Sequence, residues 1–318
     1  RQYDHEVRGK TALKPMQGPL GKDSPGDSSV LKPVEDSWKG LALTADVNPY
    51  LMEANPYHGT MSAVEEVCRN LAAVGARIDS LADCLCFGNP RKPDIMGQFK
   101  ASCEALRDAA TAIDVPYVSG NVSLYNETAE GAIPPTPVLM GVGIVDDIRK
   151  CTTSDMKNEG TIWLVGDTKG EMGASLYYRT IGKECPSIPK TDFDSFIPRM
   201  EQLILAIEHG EVVACHDIST GGLAMAIIEM CMSGNGANIN LAGEMRADVE
   251  LFSESNGRWI VQVAPGSEKD FGKRFDFAEI IGKVDDKIIF NKNGEKLVEL
   301  DIGKTRKEWT NPIWERLA

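Results

Sequence analysis

Three short segments hold residue types suited to chemistry on phosphates, and each follows or closes an apolar run. The first is Ala82-Asp83-Cys84-Leu85-Cys86-Phe87-Gly88-Asn89-Pro90. Asp83 stands in a largely apolar, strand-like stretch, where an unpaired carboxylate is costly and calls for a cation, a donor or solvent. The cation would be Mg²⁺ or a group on a nucleotide; an Asp satisfied within a turn network is the plainer alternative. The second segment is Val118-Ser119-Gly120-Asn121-Val122-Ser123-Leu124-Tyr125-Asn126-Glu127-Thr128. Gly120 lets a backbone approach a ligand, neighbouring N–H groups can face phosphate oxygens, Asn121 offers a neutral oxygen to a hard metal, and Ser123 offers a hydroxyl. The same residues also build ordinary loops. The third segment, Cys215-His216-Asp217-Ile218-Ser219-Thr220-Gly221-Gly222-Leu223, opens from a strand through a glycine pair into an apolar helix. A free helix N-terminus is an anion site. A tight helix entry capped by Asp217 or Ser219 is the alternative.

Two familiar arrangements are missing. No Gly-x-x-x-x-Gly-Lys-Ser/Thr loop occurs. His216-Asp217 has no accompanying Gly-x-Ser-x-Gly elbow, so a hydrolase pair is not indicated.

The elements that must position these segments follow from periodicity. Gly40 to Asp46 alternates like a half-buried strand ending on a carboxylate. Met61, Val64, Cys68 and Leu71, widened by Val67 and Val74, predict a helix over 61–74, with Ser62 and Glu65 as a capping box and Gly75 as its stop. A strand over 80–87 follows, then a long helix from Pro93 to Ile113, a short apolar run over 115–118 and a strand over 138–145. Beyond Asp146–Lys150 and a polar loop to Gly160 the pattern resets, which places a domain boundary at about 150–158. Strands are expected over 161–165, 212–215, 237–241, 259–264, 280–284, 287–290 and 296–302, and helices over 196–209 and 222–233. Strands alternate with helices across connections of uneven length, so the expected class is α/β or α+β, a sheet-and-helix layer rather than a regular barrel.

Composition narrows the function. Thirty-four Lys and Arg stand against 47 Asp and Glu in 318 residues, a formal charge of -13 spread along the chain. Nonspecific nucleic-acid binding draws its affinity from basic residues and is not expected. No apolar run approaches the roughly 18 residues of a membrane span. The eight cysteines are scattered, with no Cys-x-x-Cys, which fits a reducing, cytoplasmic compartment; Cys84 and Cys86 read as small buried thiols rather than a zinc site. The chain begins at Arg1, its first methionine is Met16, and no apolar signal segment lies between them, so a piece of a longer product is expected.

Taken together, the segments resemble the second half of formylglycinamide ribonucleotide amidotransferases (phosphoribosylformylglycinamidine synthases) of the small type. The matching stretches are Gln2 to Val7, Asp83 to Pro90, Val118 to Thr128 with Pro135-Thr136-Pro137, His216 to Leu223, and Phe252-Ser253-Glu254-Ser255-Asn256-Gly257-Arg258. The His-Asp-x-Ser-x-Gly-Gly-Leu segment is shared with aminoimidazole ribonucleotide synthetases and selenophosphate synthetases, while the Asp83 and Gly120 segments are narrower. Cys86 stands where the family pattern has Asn, and Asn55 to His58 is less basic than that pattern.

The resemblance implies a two-domain half of the aminoimidazole ribonucleotide synthetase-like superfamily. Residues 1–150 would form a core, barrel-forming α/β domain and 151–318 a mixed-sheet α/β domain. It implies an ATP- and Mg²⁺-dependent ligase of purine biosynthesis, in which Asp83 and Gly120 contact ATP, Asn121 binds Mg²⁺ and Ser123 contacts formylglycinamide ribonucleotide. No catalytic residue is expected in this half. Asp46, Arg69 and Asn70 would line a second, pseudo-symmetric nucleotide site. The absence of a Gly-x-Cys-x-Gly elbow implies that ammonia comes from a glutaminase subunit with a small bridging subunit. The implied partners are these subunits and the first half of the enzyme. Two other readings stand beside this one: a structural nucleotide-binding module, and a stand-alone homodimeric synthetase of the same superfamily.

Overall fold

The computed structural model describes residues 7–275 and 277–317; the matching stretch Gln2 to Glu6 lies outside the described residues. The first sheet is assembled from β1 (Thr11–Leu13), β4 (Ser29–Leu31), β5 (Gly40–Asp46), β6 (Arg77–Cys86), β7 (Tyr117–Ser123) and β10 (Thr136–Val145), in the order β1-β4-β5-β10-β6-β7. Two small ribbons flank it, β2 (Met16–Gln17) with β3 (Ser24–Pro25) and β8 (Glu127–Thr128) with β9 (Gly131–Ala132). The helices of this part are α1 (Pro49–Ala54), α2 (Pro56–Ala73) and α3 (Pro93–Ile113). β6 and β7 pair in parallel, α3 being their crossover; the other pairs of the sheet are antiparallel.

α2 starts five residues before the apolar stripe does. Asn55 Oδ1 accepts from His58 N at 3.0 Å and Pro56 fills the first turn, a cap and a preset φ in consecutive residues. Ser62 and Glu65 therefore form no capping box. Both are buried inside the helix, and their polar atoms serve contacts with other elements.

Directly opposed residues of an antiparallel pair share a face. On β10, Pro137, Leu139, Gly141, Gly143 and Val145 are buried beneath the helices. Thr136, Val138, Met140, Val142 and Ile144 point the other way and are half-buried or exposed, as are Leu41, Leu43 and Ala45 on β5. Among the described residues no helix covers this apolar face of the first sheet.

Residues 146–160 lead to the second sheet. It comprises β11 (Thr161–Val165), β12 (Val212–Asp217), β13 (Gly236–Leu241), β14 (Trp259–Val263), β15 (Ala278–Asp285), β16 (Ile288–Lys292) and β17 (Glu295–Leu300), ordered β12-β14-β11-β15-β13-β16-β17. Among its described strand pairs only β13–β16 is parallel. Its helices are α4 (Leu176–Thr180), α5 (Phe193–Glu208), α6 (Gly222–Cys231), α7 (Ala247–Phe252), α8 (Glu268–Arg274), α9 (Ile302–Thr310) and α10 (Pro312–Leu317). β14 is buried at all five positions because both of its faces are covered. One core cluster runs from Val30 and Ala42 through Leu71 of α2 and Leu203 of α5 to Trp259, joining the two sheets. A second packs Ile162 and Ile260 against Ile227 of α6.

Candidate functional site

Asp83, Gly120, Asn121 and Ser123 come together on one strand pair. In the parallel register Asp83 lies beside Gly120, Cys84 beside Asn121, and Cys86 beside Ser123. The segment expected to be a loop is extended edge strand. Pairing with β6 alone holds it, and five of its seven residues stay exposed, which is why its composition resembles a loop.

The four residues divide between the two faces. Asp83 is opposed to fully buried Leu139, so it shares the helix-covered face, and its charge is felt by Cys103 of α3 and by Tyr117. Asn121 and Ser123 stand on the open face with Cys84 and Cys86. Asn121 Nδ2 donates to Cys84 Sγ at 3.4 Å, and no protein donor to Oδ1 is found among the described residues. Ser123 Oγ lies 3.3 Å from Asn126 Oδ1 and 3.2 Å from its Nδ2, and Asn126 also donates to the carbonyls of Phe87 and Ser123.

Asp83 is the electrostatically unsettled member. Burial raises its carboxyl above the usual range, and no described side chain donates to it or pairs with it. A β-carbon on Gly120 would stand 2.8 Å from Asp83 Oδ2, so the carboxylate leans over bare edge-strand backbone. This arrangement can accept hydrogen bonds from amino or hydroxyl groups of a ligand lying along the edge.

The third segment departs from expectation. β12 runs two residues beyond the strand expected over 212–215 and ends on His216 and Asp217, because their backbone continues the ladder with Ile260 and Trp259. Neither Asp217 nor Ser219 caps α6. Gly221 and Gly222 take φ of +85° and +67°, and Gly221 N donates to Glu254 Oε1 at 2.8 Å. Glu254 Oε1 also accepts from Leu176 N at 2.9 Å. The α6 N-terminus is therefore filled by the protein's own carboxylate instead of awaiting an anion.

Between the two sheets lies a buried ionic cluster that sequence reasoning largely missed. Arg69 is 1% exposed; its Nε donates to Asp217 Oδ2 at 3.0 Å, it pairs with Glu65, and Glu66 lies 3.7 Å away. Burial disfavours the Arg69 charge, but Glu65, Asp217 and Glu66 outweigh it and raise its pKa. Glu65 accepts from Gly257 N at 3.0 Å, and Trp259 Nε1 donates to Arg69 O at 3.0 Å. Asp46, hydrogen-bonded to Glu66, is pushed up to about 6 by burial and by the charge of Asp217. Burial and Asp46 likewise raise Glu66 well above the carboxylate range. Arg69 is thus buried within the network, while Asn70 is buried beside it and donates to Thr44 Oγ1 at 3.4 Å; only the i, i+4 spacing of Glu65 and Arg69 hinted at the cluster.

A second group adjoins this cluster. His216 Nδ1 is 2.7 Å from Asp27 Oδ1, and Nε2 is 3.2 Å from Glu229 Oε2. Burial opposes its charge, yet the carboxylates of Asp27 and Glu229 raise its pKa well above the usual value. Asp27, His216 and Asp217 offer ligand atoms within 4.8 Å of one another. With both ring nitrogens engaged, His216 serves there as the buried cation itself. A small cleft lined by Asn48, Glu66, Arg69, Ser219 and Thr220 opens onto the cluster.

Comparison with known proteins agrees with this architecture. The AIR synthase related protein N-terminal domain matches residues 25–145, and the AIR synthase related protein C-terminal domain matches 159–290. Phosphoribosylformylglycinamidine synthase subunit PurL of Thermoplasma volcanium is 38% identical over 98% of this chain and 42% of its own length. The PurL subunit of Thermococcus sibiricus is 40% identical over 96% of this chain and 42% of its own. The chain thus spans less than half the length of these curated relatives. Thermotoga maritima PurL complexed with FGAR shares the fold, with a TM-score of 0.72 at 18% identity over 94% of this chain and 48% of that one. The resemblance drawn from the motifs points to the same proteins. With matches to both of its domains, the chain belongs to the AIR synthase related protein family and is similar to the PurL subunits.

Proposed function

We propose that this chain supplies the nucleotide- and substrate-contacting strand pair of an ATP-dependent carbon–nitrogen ligase of purine biosynthesis. The reaction converts formylglycinamide ribonucleotide, ammonia and ATP to formylglycinamidine ribonucleotide, ADP and phosphate. The observation that carries the proposal is the Asp83 carboxylate, which has no donor among the described residues and leans over Gly120 beside Asn121 and Ser123. The names of the relatives support it, as does the occurrence of Thermotoga maritima PurL in complexes with FGAR, ADP and ATP.

In this reading Asp83 accepts from donor groups of the nucleotide, and Gly120 keeps the edge low enough for the ligand to approach. Asn121, its amide nitrogen anchored on Cys84, presents Oδ1 to a hard cation, a donor that suits Mg²⁺. Mg²⁺, when bound, supplies charge neutralisation on the phosphates. Ser123, steadied by Asn126, offers its hydroxyl to the substrate. In this reading the contribution of the four residues is binding and orientation rather than proton transfer. We take 1–150 as the core-forming domain and 151–318 as the flanking one. The uncovered apolar face of the first sheet suits the first half of the enzyme, and a glutaminase subunit with a small bridging subunit would deliver ammonia. The eight free thiols suit the cytoplasm, and among the described residues no helix is long and apolar enough to cross a membrane.

A second reading rests on the buried cluster. Asp46, Glu66 and Asp217 carry more negative charge than Arg69 neutralises, a donor set that fits a divalent cation with a nucleotide held for stability rather than turnover. A homodimeric synthetase would instead place a second copy on the open face. ATP turnover assayed with formylglycinamide ribonucleotide, Mg²⁺ and ammonia separates these. We expect none from the chain alone and restored amidine formation once the first half is supplied. Turnover by the chain alone would favour the homodimer, and none even after complementation would favour the structural role.

A further inference from the structure

Cys84 and Cys86 occupy alternate positions of β6 on the face that the helices leave uncovered, and both are half-buried rather than sealed in a core. Their sulfurs lie 3.7 Å apart. Alternate residues of an extended strand have Cα atoms roughly 6.7 Å apart with parallel side chains, a poor start for a disulfide. The separation is that of an S–H···S contact between the free thiols, and it also suits a shared metal ion. Two thiolates about 2.3 Å from a tetrahedral d¹⁰ cation stand roughly 3.8 Å apart. Around them Asn121 Nδ2 donates to Cys84 Sγ at 3.4 Å, a contact that a thiolate accepts better than a thiol. The thioether-bearing Met140 is exposed on the same face, opposed to Ala82.

We propose that Cys84 and Cys86 form a two-thiolate site for a soft divalent cation of the zinc class, beside Asn121 on the open face of the first sheet. This differs from the buried-thiol role expected of these residues, because the face they line is open. The hard-cation ligand suggested for Asn121 uses its oxygen; the soft site uses the two sulfurs and does not depend on the nucleotide reading. A thiol must lose its proton to ligate, so binding displaces protons and strengthens as pH rises.

Cadmium titration of the intact 318-residue chain tests this, with the sulfur-to-cadmium charge-transfer absorption as readout in a thiol-free reductant. The expected result is a band saturating at one equivalent per chain, reversed by zinc and accompanied by proton release. It should be lost in both Cys84→Ser and Cys86→Ser, each checked for native circular dichroism, and kept in Cys103→Ser and Cys185→Ser. If either strand variant failed to fold, Cys84→Ala or Cys86→Ala would take its place. A band that survives in folded Cys84 and Cys86 variants, or no band with the folded native chain, would overturn the proposal.

Discussion

Asp83 and Gly120 face each other across β6 and β7 so closely that a β-carbon on Gly120 would meet Asp83 Oδ2 at 2.8 Å. The carboxylate is the mobile end of its side chain, so Gly120→Ala pushes it aside at a stability cost of about 1 kcal/mol, the low end for overpacking. Ligand contact suffers more. In the reconstituted enzyme Gly120→Ala should lower kcat/KM for ATP roughly tenfold, the factor for about 1.4 kcal/mol of lost transition-state binding. In an Asp83→Ala background the same change should add little. An undiminished Gly120→Ala effect in that background would show that the two residues do not act together.

Gly222 tests the helix entry. Its φ is +67°, and an added β-carbon would meet Ser253 O at 2.6 Å and Leu251 O at 2.8 Å, backbone atoms that cannot swing away. Gly222→Ala should therefore destabilise the chain by about 2 kcal/mol or more, measured by urea unfolding. A cost near zero would mean that α6 can enter without the left-handed pair.

Arg69 is the shared cation of Glu65 and Asp217, and it is 1% exposed. Arg69→Met leaves those carboxylates buried without a countercharge, which should cost about 3–5 kcal/mol at pH 7, as expected for breaking one side of a buried pair. Burial already raises Glu65, so the deficit should shrink at pH 5, where it protonates more easily. Equal deficits at both pH values would contradict this electrostatic origin.

The pH dependence of stability has a definite sign. Asp27 and Asp46 rise from 3.8 to about 6, chiefly through burial. The folded chain therefore binds more protons than the unfolded one between those values, and stability falls as pH climbs from about 4 through 6. His216 adds to the same slope at higher pH, because its raised pKa gives a contribution present below 6.5 and lost as pH passes the folded value. Thermal unfolding should show a declining Tm from pH 5 to 8. Asp46→Asn should flatten the decline, and Mg²⁺ should raise Tm more at pH 8 than at pH 5. A Tm that rises over this interval would refute the assignment.

Much of the architecture is written in local pattern. Pro93 and the apolar spacing through Ile113 specify α3 to the residue, and Thr161–Val165 is strand as its β-branched, apolar run requires. Misreadings fall where tertiary pairing overrides composition. Ser119 to Ser123 reads as a loop because an edge strand has only one neighbour to reward strand-forming side chains, and the strand expected over 212–215 runs on through His216 and Asp217, whose polar groups are satisfied by Asp27, Glu229 and Arg69. Asp83, Gly120, Asn121 and Ser123 were legible as neighbours in kind. Their division between two faces was not, since it depends on the register of β6 against β7 and β10. Glu254 at the α6 entry had no local signal, because its partners are the backbone amides of Gly221 and Leu176.

The most direct measurement of the central claim is amidine formation by the enzyme reconstituted with Asp83→Ala, read as kcat/KM for ATP against the native chain. A fall of roughly a hundredfold, with native-like thermal unfolding, is expected when a carboxylate that accepts from the nucleotide is removed, a loss of about 2.7 kcal/mol. Near-native kcat/KM in a folded, assembled Asp83→Ala enzyme would contradict the account and remove the β6–β7 edge from the nucleotide site.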